Sequence, residues 1–230
     1  MFPALRCTHP ERADVLIKLF IFDMGGVLLR NFEVIPEICS ILGVPQSDFI
    51  NLFRDRLFDL EEGKLTANEF WENYSAEAGI SIDRELFKKL FNPSVDLSTE
   101  RLIRQLKINF RIVCGTNTIK EHWEYLTHGG YYNIFDKVYA SYIMKIAKPR
   151  KEFYKVILKS ENVLPNEVVF VDDFKENVDA ALGLGLNGFL FKDASTFIRE
   201  LRKSFPDIFT YSPLQEGEFE EGVPSCTGLV

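Results

Sequence analysis

The sequence predicts an α/β protein, a Rossmann-like doubly wound parallel sheet carrying an inserted α-helical cap, on three observations. Short apolar, β-branched runs recur at Val15–Phe22, Phe110–Cys114, Val168–Val171 and Gly188–Phe191, with Val138–Ala140 a weaker one. Helical patterns lie between them, and strands alternating with helices give a parallel sheet wrapped on both faces. From about Glu33 to Phe91 the texture changes: apolar residues recur at helical spacing with no strand among them. The 230 residues, 46% hydrophobic and 27% charged, suffice for one large domain with an insert. That balance excludes a disordered, collagen-like or disulfide-dense chain.

In chain order, residues 1–14 read as an N-terminal arm. Val15–Phe22 is a buried strand that stops at Asp23 and a Gly-Gly pair, the mark of a tight turn. Residues 33–96 form the cap, with room for three or four helices. Thr66-x-x-Glu69 is a capping box opening a helix that runs to Gly79, and Gly43, Gly63 and Pro93 stand where helices stop. Asn92–Ser98 is the return linker, after which Thr99–Ile108 resumes the α/β rhythm; hinges for cap movement are expected near Arg30–Phe32 and in that linker. The core is thus residues 15–32 plus 97–204. Residues 205–230, with Glu216, Glu218, Glu220 and Glu221 among scattered Gly and Pro, read as an acidic tail.

A net charge of −7 offers no basic surface to nucleic acid or to an anionic membrane, so an anionic substrate must be held by local groups against the global field. Cys7, Cys39, Cys114 and Cys226 form no CxxC and no metal-like spacing with His9, His122 or His128. They read as free thiols of a reducing cytoplasm. No apolar stretch approaches the ~18–20 residues that span a bilayer, and Glu11 and Asp14 stand where a secretory leader is apolar. The expected location is cytoplasmic.

Ligands of doubly wound sheets bind beyond the carboxyl ends of the strands. Four segments qualify: Asp23-Met24-Gly25-Gly26, Gly115-Thr116-Asn117-Thr118, Lys148-Pro149 and Asp172-Asp173. Singly, each has an ordinary explanation: an acid after a strand caps a helix, Thr-Asn makes a turn, a lysine beside a proline is a solvated charge. Asp172-Asp173 resists this, because adjacent carboxylates ending a buried strand repel and favour a cation. Together the four fit phosphoryl transfer through an aspartyl-phosphate, with Asp23 as nucleophile. Mg²⁺ would neutralise the phosphate, held by Asp23 and Asp173 with Asp172 nearby and by the Gly25 carbonyl. Lys148, kept out of the following helix by Pro149, would bridge Asp23 and the phosphate. Thr116 and the backbone amides of Met24, Gly25 and Asn117 would bond the phosphate oxygens.

These segments, FDMGGV at Phe22–Val27, CGTN at Cys114–Asn117, AKP at Ala147–Pro149 and VDDFKENVDAA at Val171–Ala181, resemble in order the four motifs of the haloacid dehalogenase-like hydrolases. The resemblance runs from the Asp23 strand to about Lys203. It is nearest to the Asp-x-Gly branch, which includes glucose-1-phosphate-type sugar phosphatases, and to the phosphatase domain of soluble epoxide hydrolases. It implies a Mg²⁺-dependent phosphatase of small phosphorylated metabolites, sugar phosphates foremost, and a cap loop, Glu61–Thr66, pointing into the site. One departure stands out. Most phosphatases of the family carry a second Asp, the general acid and base, where this chain has Gly25. Glu61, Glu62 and His122 are the candidate substitutes. Two alternatives fit the same residues: a very slow or non-catalytic binding or regulatory protein, and a 2-haloacid dehalogenase, whose anionic substrate the Asp172-Asp173 pair would repel.

Overall fold

The computed structural model describes residues 16–209. Strand β1 (Leu19–Phe22) is followed by a tight turn and a short strand β2 (Leu29–Arg30). Four helices come next, α1 (Ile35–Leu42), α2 (Gln46–Glu61), α3 (Ala67–Ala78) and the single turn α4 (Leu86–Lys89), closed by β3 (Ser94–Val95). The chain then alternates through α5 (Leu97–Leu106), β4 (Arg111–Thr116), α6 (Lys120–His128), β5 (Lys137–Ala140), α7 (Ser141–Met144) and α8 (Lys151–Glu161). It ends with β6 (Val168–Asp172), α9 (Lys175–Leu182), β7 (Asn187–Leu190) and α10 (Ala194–Ser204). The five core strands pair in parallel in the order β5-β4-β1-β6-β7. All five predicted runs are strands of this sheet.

Parallel strands are covered on both faces, so apolar side chains serve both sides of each strand. Phe20 and Phe22 of β1 join one core cluster, with Leu102, Ile103, Phe197 and Ile198 of the flanking helices. Leu19 and Ile21 join the other, with Phe153, Tyr154 and Ile157. The four-helix insert has an aromatic centre in which Phe53 meets Tyr74 and Trp71 meets Phe87, each pair at 4.8 Å between ring centroids. Burying such rings compensates a small insert for its limited core.

Where the sequence reads a linker, the structure has a ribbon: β2 and β3 pair antiparallel, Leu29 with Val95 and Arg30 with Ser94. Asp96, directly after it, accepts from the Thr99 amide at 2.9 Å and so starts α5 two residues earlier than expected. The capping box is present, with Thr66 and Glu69 exchanging bonds, and α3 ends at left-handed Gly79. At the other end Phe205 and Ile208 pack against the core, so core packing continues past residue 204. Residues 1–14, with Cys7 and His9, and residues 210–230, with the Glu216–Glu221 cluster and Cys226, lie outside the described residues. Cys39 and Cys114 are buried free thiols, and among the described residues no helix is long and apolar enough to cross a membrane.

Candidate active site

Register brings the first and last motifs together. Phe22 pairs with Cys114 on one side and Val171 on the other, so the next residue of each strand, Asp23, Gly115 and Asp172, ends at one level of the sheet. The Asp23 amide extends the ladder by donating to the Val171 carbonyl at 2.9 Å. The following turn folds back as the amides of Leu28 and Leu29 donate to the Met24 carbonyl. Gly26 adopts φ +68°, and a Cβ there would lie 1.9 Å from an Asp173 oxygen. A side chain at that position would therefore meet both a left-handed backbone and the neighbouring carboxylate.

Lys148 is the hub. Its buried ammonium lies 2.9 Å from Asp23 Oδ1 and 2.7 Å from Asp172 Oδ2. Burial pulls its pKa down, but the two carboxylates outweigh it and hold the ammonium well above its ordinary value. Asn117 brackets the same residue: its Oδ1 accepts from the Lys148 amide at 2.9 Å and its Nδ2 donates to the Lys148 carbonyl at 3.1 Å. The Lys148–Pro149 peptide bond is cis. Asp172 accepts from Lys148, from the Phe174 amide at 2.8 Å and from Asn177 Nδ2 at 3.0 and 3.1 Å. Its oxygens are committed to holding the lysine, which separates its role from that of its neighbour.

Asp173 is the carboxylate left over. Its Oδ1 is buried without a hydrogen-bond partner, and burial followed by the charge of Asp172 raises its pKa to about 6. Burial likewise raises Asp23 to about 7, opposed by Lys148 and helped by Asp172 and Asp173. Oxygens of Asp23, Asp172 and Asp173 lie within 4.8 Å of one another. Three crowded carboxylates, one with an orphaned oxygen, match the oxygen-only donor set of a small divalent cation. The residues present fit Mg²⁺.

The other predicted contacts are close by. The Met24 amide donates to Asp23 Oδ1 at 2.7 Å, and the Thr116 hydroxyl, buried at the end of β4, donates to the Asn117 carbonyl at 3.2 Å. Gly25 carries no left-handed constraint. Instead, a Cβ built there would lie 2.6 Å from Cε2 of Phe32, whose ring fills the space beside it.

Of the three candidate acids, Glu61 reaches this cluster, its Oε2 accepting from Asn117 Nδ2 at 3.1 Å. Glu62 is engaged by other groups. It is fully buried, accepting from the Ala147 amide at 3.1 Å and pairing with Arg150 at 3.0 Å and with Lys64. Burial raises its pKa, but these donors outweigh it and hold the carboxylate below its ordinary range. His122 is turned away, its Nε2 bonded to the Phe87 carbonyl at 3.0 Å and its ring stacked on Phe91 at 3.8 Å. Burial depresses it to about 4, so it is neutral at pH 7. Three contributors were not singled out from the sequence: Asn177, five residues beyond Asp172 inside the last motif; Ser141, whose hydroxyl donates to the Glu61 carbonyl at 2.7 Å; and Phe32. Asn177 is readable from helical spacing, whereas Phe32 has no local signal.

The sequence pattern of the haloacid dehalogenase-like hydrolase family matches residues 17–185. The chain belongs to that family. A D-ribitol-5-phosphate phosphatase of Bacteroides thetaiotaomicron is 28% identical over 200 residues, covering 81% of this chain and 97% of that protein. A phosphorylated carbohydrates phosphatase of Thermotoga maritima is 27% identical over 187 residues, covering 74% and 82%. A wild-type family enzyme from Bacteroides thetaiotaomicron, solved with magnesium and inorganic phosphate, superposes with a TM-score of 0.62 at 25% identity over 76% of this chain and 94% of that one. The chain is a hydrolase of this fold.

Proposed function

We propose that the protein is a Mg²⁺-dependent phosphatase of small phosphomonoesters, with sugar and sugar-alcohol phosphates as its substrate class, acting through an aspartyl-phosphate on Asp23. The observation that carries this reading is the buried Asp23–Lys148–Asp172 arrangement beside the unpartnered oxygen of Asp173. The named activities of the similar proteins support the substrate class.

Asp23 and Asp173, with the Gly25 carbonyl, would hold the metal, which when bound supplies the positive charge that lets a carboxylate approach a phosphate dianion. Asp23 attacks phosphorus with its carboxylate oxygen and becomes the acyl phosphate; water later restores it. Lys148 contributes a fixed charge to Asp23 and the transferring phosphoryl group, while Asp172, Asn177 and Asn117 hold the lysine in place. The Thr116 hydroxyl and the backbone amides of the first turn exchange their internal acceptors for phosphate oxygens.

One observation favours a second reading, a slow or non-catalytic binding protein: the position of the usual second Asp is Gly25, where a Cβ would run into the Phe32 ring. Phosphate release from D-ribitol 5-phosphate and sugar 1-phosphates, with Mg²⁺ or with chelator, separates the two. Metal-dependent release that vanishes in a folded Asp23→Asn variant is expected. Retained release in that variant removes Asp23 as nucleophile, and Mg²⁺ binding without release from any substrate establishes the binding protein.

A further inference from the structure

Releasing an alcohol from phosphorus requires a proton on the leaving oxygen, and splitting the acyl phosphate requires a proton taken from water. Gly25 supplies neither, and a side chain there would have to displace the ring of Phe32. Among the other nearby carboxyls, Asp172 is saturated by Lys148, Phe174 and Asn177, and Glu62 by Ala147, Arg150 and Lys64.

Glu61 differs from both. It is the last residue of α2, brought from the cap to the edge of the core. Its carbonyl accepts from Ser141 and its Oε2 from Asn117, the residue that brackets Lys148. Its Oε1 has no hydrogen-bond partner among the described residues. The loop after it is tied to the core by Glu62 to Ala147 and Arg150, and by the Lys145 ammonium donating to the Gly63 carbonyl at 3.0 Å. A residue held at its backbone carbonyl and at one carboxylate oxygen, with the other oxygen available, is thus linked through Asn117 to the backbone of the catalytic lysine.

We propose that Glu61, delivered by the cap, is the general acid and base of the phosphatase reaction, replacing the carboxylate missing at Gly25. This rests on the reading given under the proposed function. In the first half-reaction a bond forms between phosphorus and an Asp23 oxygen, the bond from phosphorus to the alcohol oxygen breaks, and the Glu61 proton goes to that oxygen. In the second, the water oxygen bonds to phosphorus, the Asp23–phosphorus bond breaks to return the carboxylate, and the water proton goes to Glu61. The sum is ester plus water to alcohol plus phosphate.

Both forms of Glu61 are accessible near neutrality. Burial pushes its pKa up to about 7, against the pull of Lys148 and of the Asn117 bond and with a push from Glu62. The other charges at this junction, Lys64, Arg150 and Lys145, are engaged with Glu62 and the Gly63 carbonyl. An alkyl phosphate should therefore lose kcat/KM as pH rises past about 7, where Glu61 gives up the proton needed by the leaving group.

The test compares wild type, Asp23→Asn and Glu61→Gln on D-ribitol 5-phosphate, whose alkoxide must be protonated, and on p-nitrophenyl phosphate, whose phenolate leaves unaided. Gln keeps an oxygen to accept from Asn117. Glu61→Gln is expected to lower kcat/KM on the alkyl phosphate about 10²–10⁴-fold and to abolish the alkaline limb. On the aryl phosphate it should give a burst of about one nitrophenolate per enzyme followed by slow turnover, because the acyl phosphate forms but lacks its base. Unchanged kcat and pH profile in Glu61→Gln overturn the role, as does equal loss on both substrates without a burst, which marks a positioning effect. If the variant does not fold, a wild-type profile without the limb overturns it equally. Wild-type activity that needs Asp23 but not Glu61 sinks this inference alone, whereas a wild type that releases nothing sinks the phosphatase reading beneath it.

Discussion

Lys148 neutralises two buried carboxylates at once, so its removal is felt in stability as well as in turnover. Lys148→Ala leaves Asp23 and Asp172 without their shared counter-charge. Breaking a buried pair in this way costs about 3–5 kcal/mol, or roughly 6–20 °C of melting temperature for a chain of this size. Thermal unfolding with parallel phosphate release should show both losses, and a variant that keeps its melting temperature would show that the ion pairs contribute little to the fold. Gly25 argues differently. Gly25→Asp forces its Cβ onto the Phe32 ring, so it should destabilise by about 1–3 kcal/mol without raising the rate. Shrinking the ring with Phe32→Ala should recover part of that cost in the double variant. A urea-unfolding cycle checks this, and strictly additive effects would refute the steric account. Asp23, Lys148, Asp172 and Asp173 were legible in the sequence because each follows an apolar run or stands just before a helix, places where chemistry is expected. Phe32 was not, because its approach to Gly25 depends on the path of the chain through β2.

At the scale of elements, one junction between the four-helix insert and the sheet is a short loop whose bonds are concentrated on one buried carboxylate. Glu62 ties α2 to the Ala147 amide and to Arg150, directly beside Lys148. Glu62→Ala should therefore loosen the loop selectively: amide hydrogen exchange across residues 61–65 should speed up while β1, β4 and β6 stay protected. Turnover should fall with it, since Glu61 loses its fixed station. Uniform acceleration across the sheet would instead mean that Glu62 supports global stability. The sign of its pH dependence follows from its lowered pKa: the carboxylate's contribution is fully present above the ordinary carboxylate range and is lost as pH falls through the depressed value. The sheet strands were readable because each is a compact apolar run between turn residues, and α3 because Thr66 and Glu69 announce its start. The ribbon of β2 and β3 was not. Two residues per strand, drawn from segments far apart in the chain, leave no periodicity to detect.

For the whole molecule, a chain of net charge −7 converges three carboxylates on one end of its sheet. Lys148 compensates two of them, and Asp173 keeps a buried oxygen with no donor. A group that binds the folded state but not the unfolded chain stabilises it by RT ln(1 + [L]/Kd), about 2.7 kcal/mol at a hundred times Kd. For a protein of this length that corresponds to roughly 5–11 °C. Mg²⁺ should raise the melting temperature by that order, saturably, and chelator should reverse the gain. Asp173→Asn removes the charge that repels Asp172 while keeping the side-chain shape, so the metal-free variant should be at least as stable as the parent but gain almost nothing from Mg²⁺. The two predictions have opposite signs at a single residue, which a merely structural aspartate would not produce. An Asp173→Asn variant with the full Mg²⁺-dependent shift would move the metal away from this cluster and take the charge argument for the phosphatase reading with it.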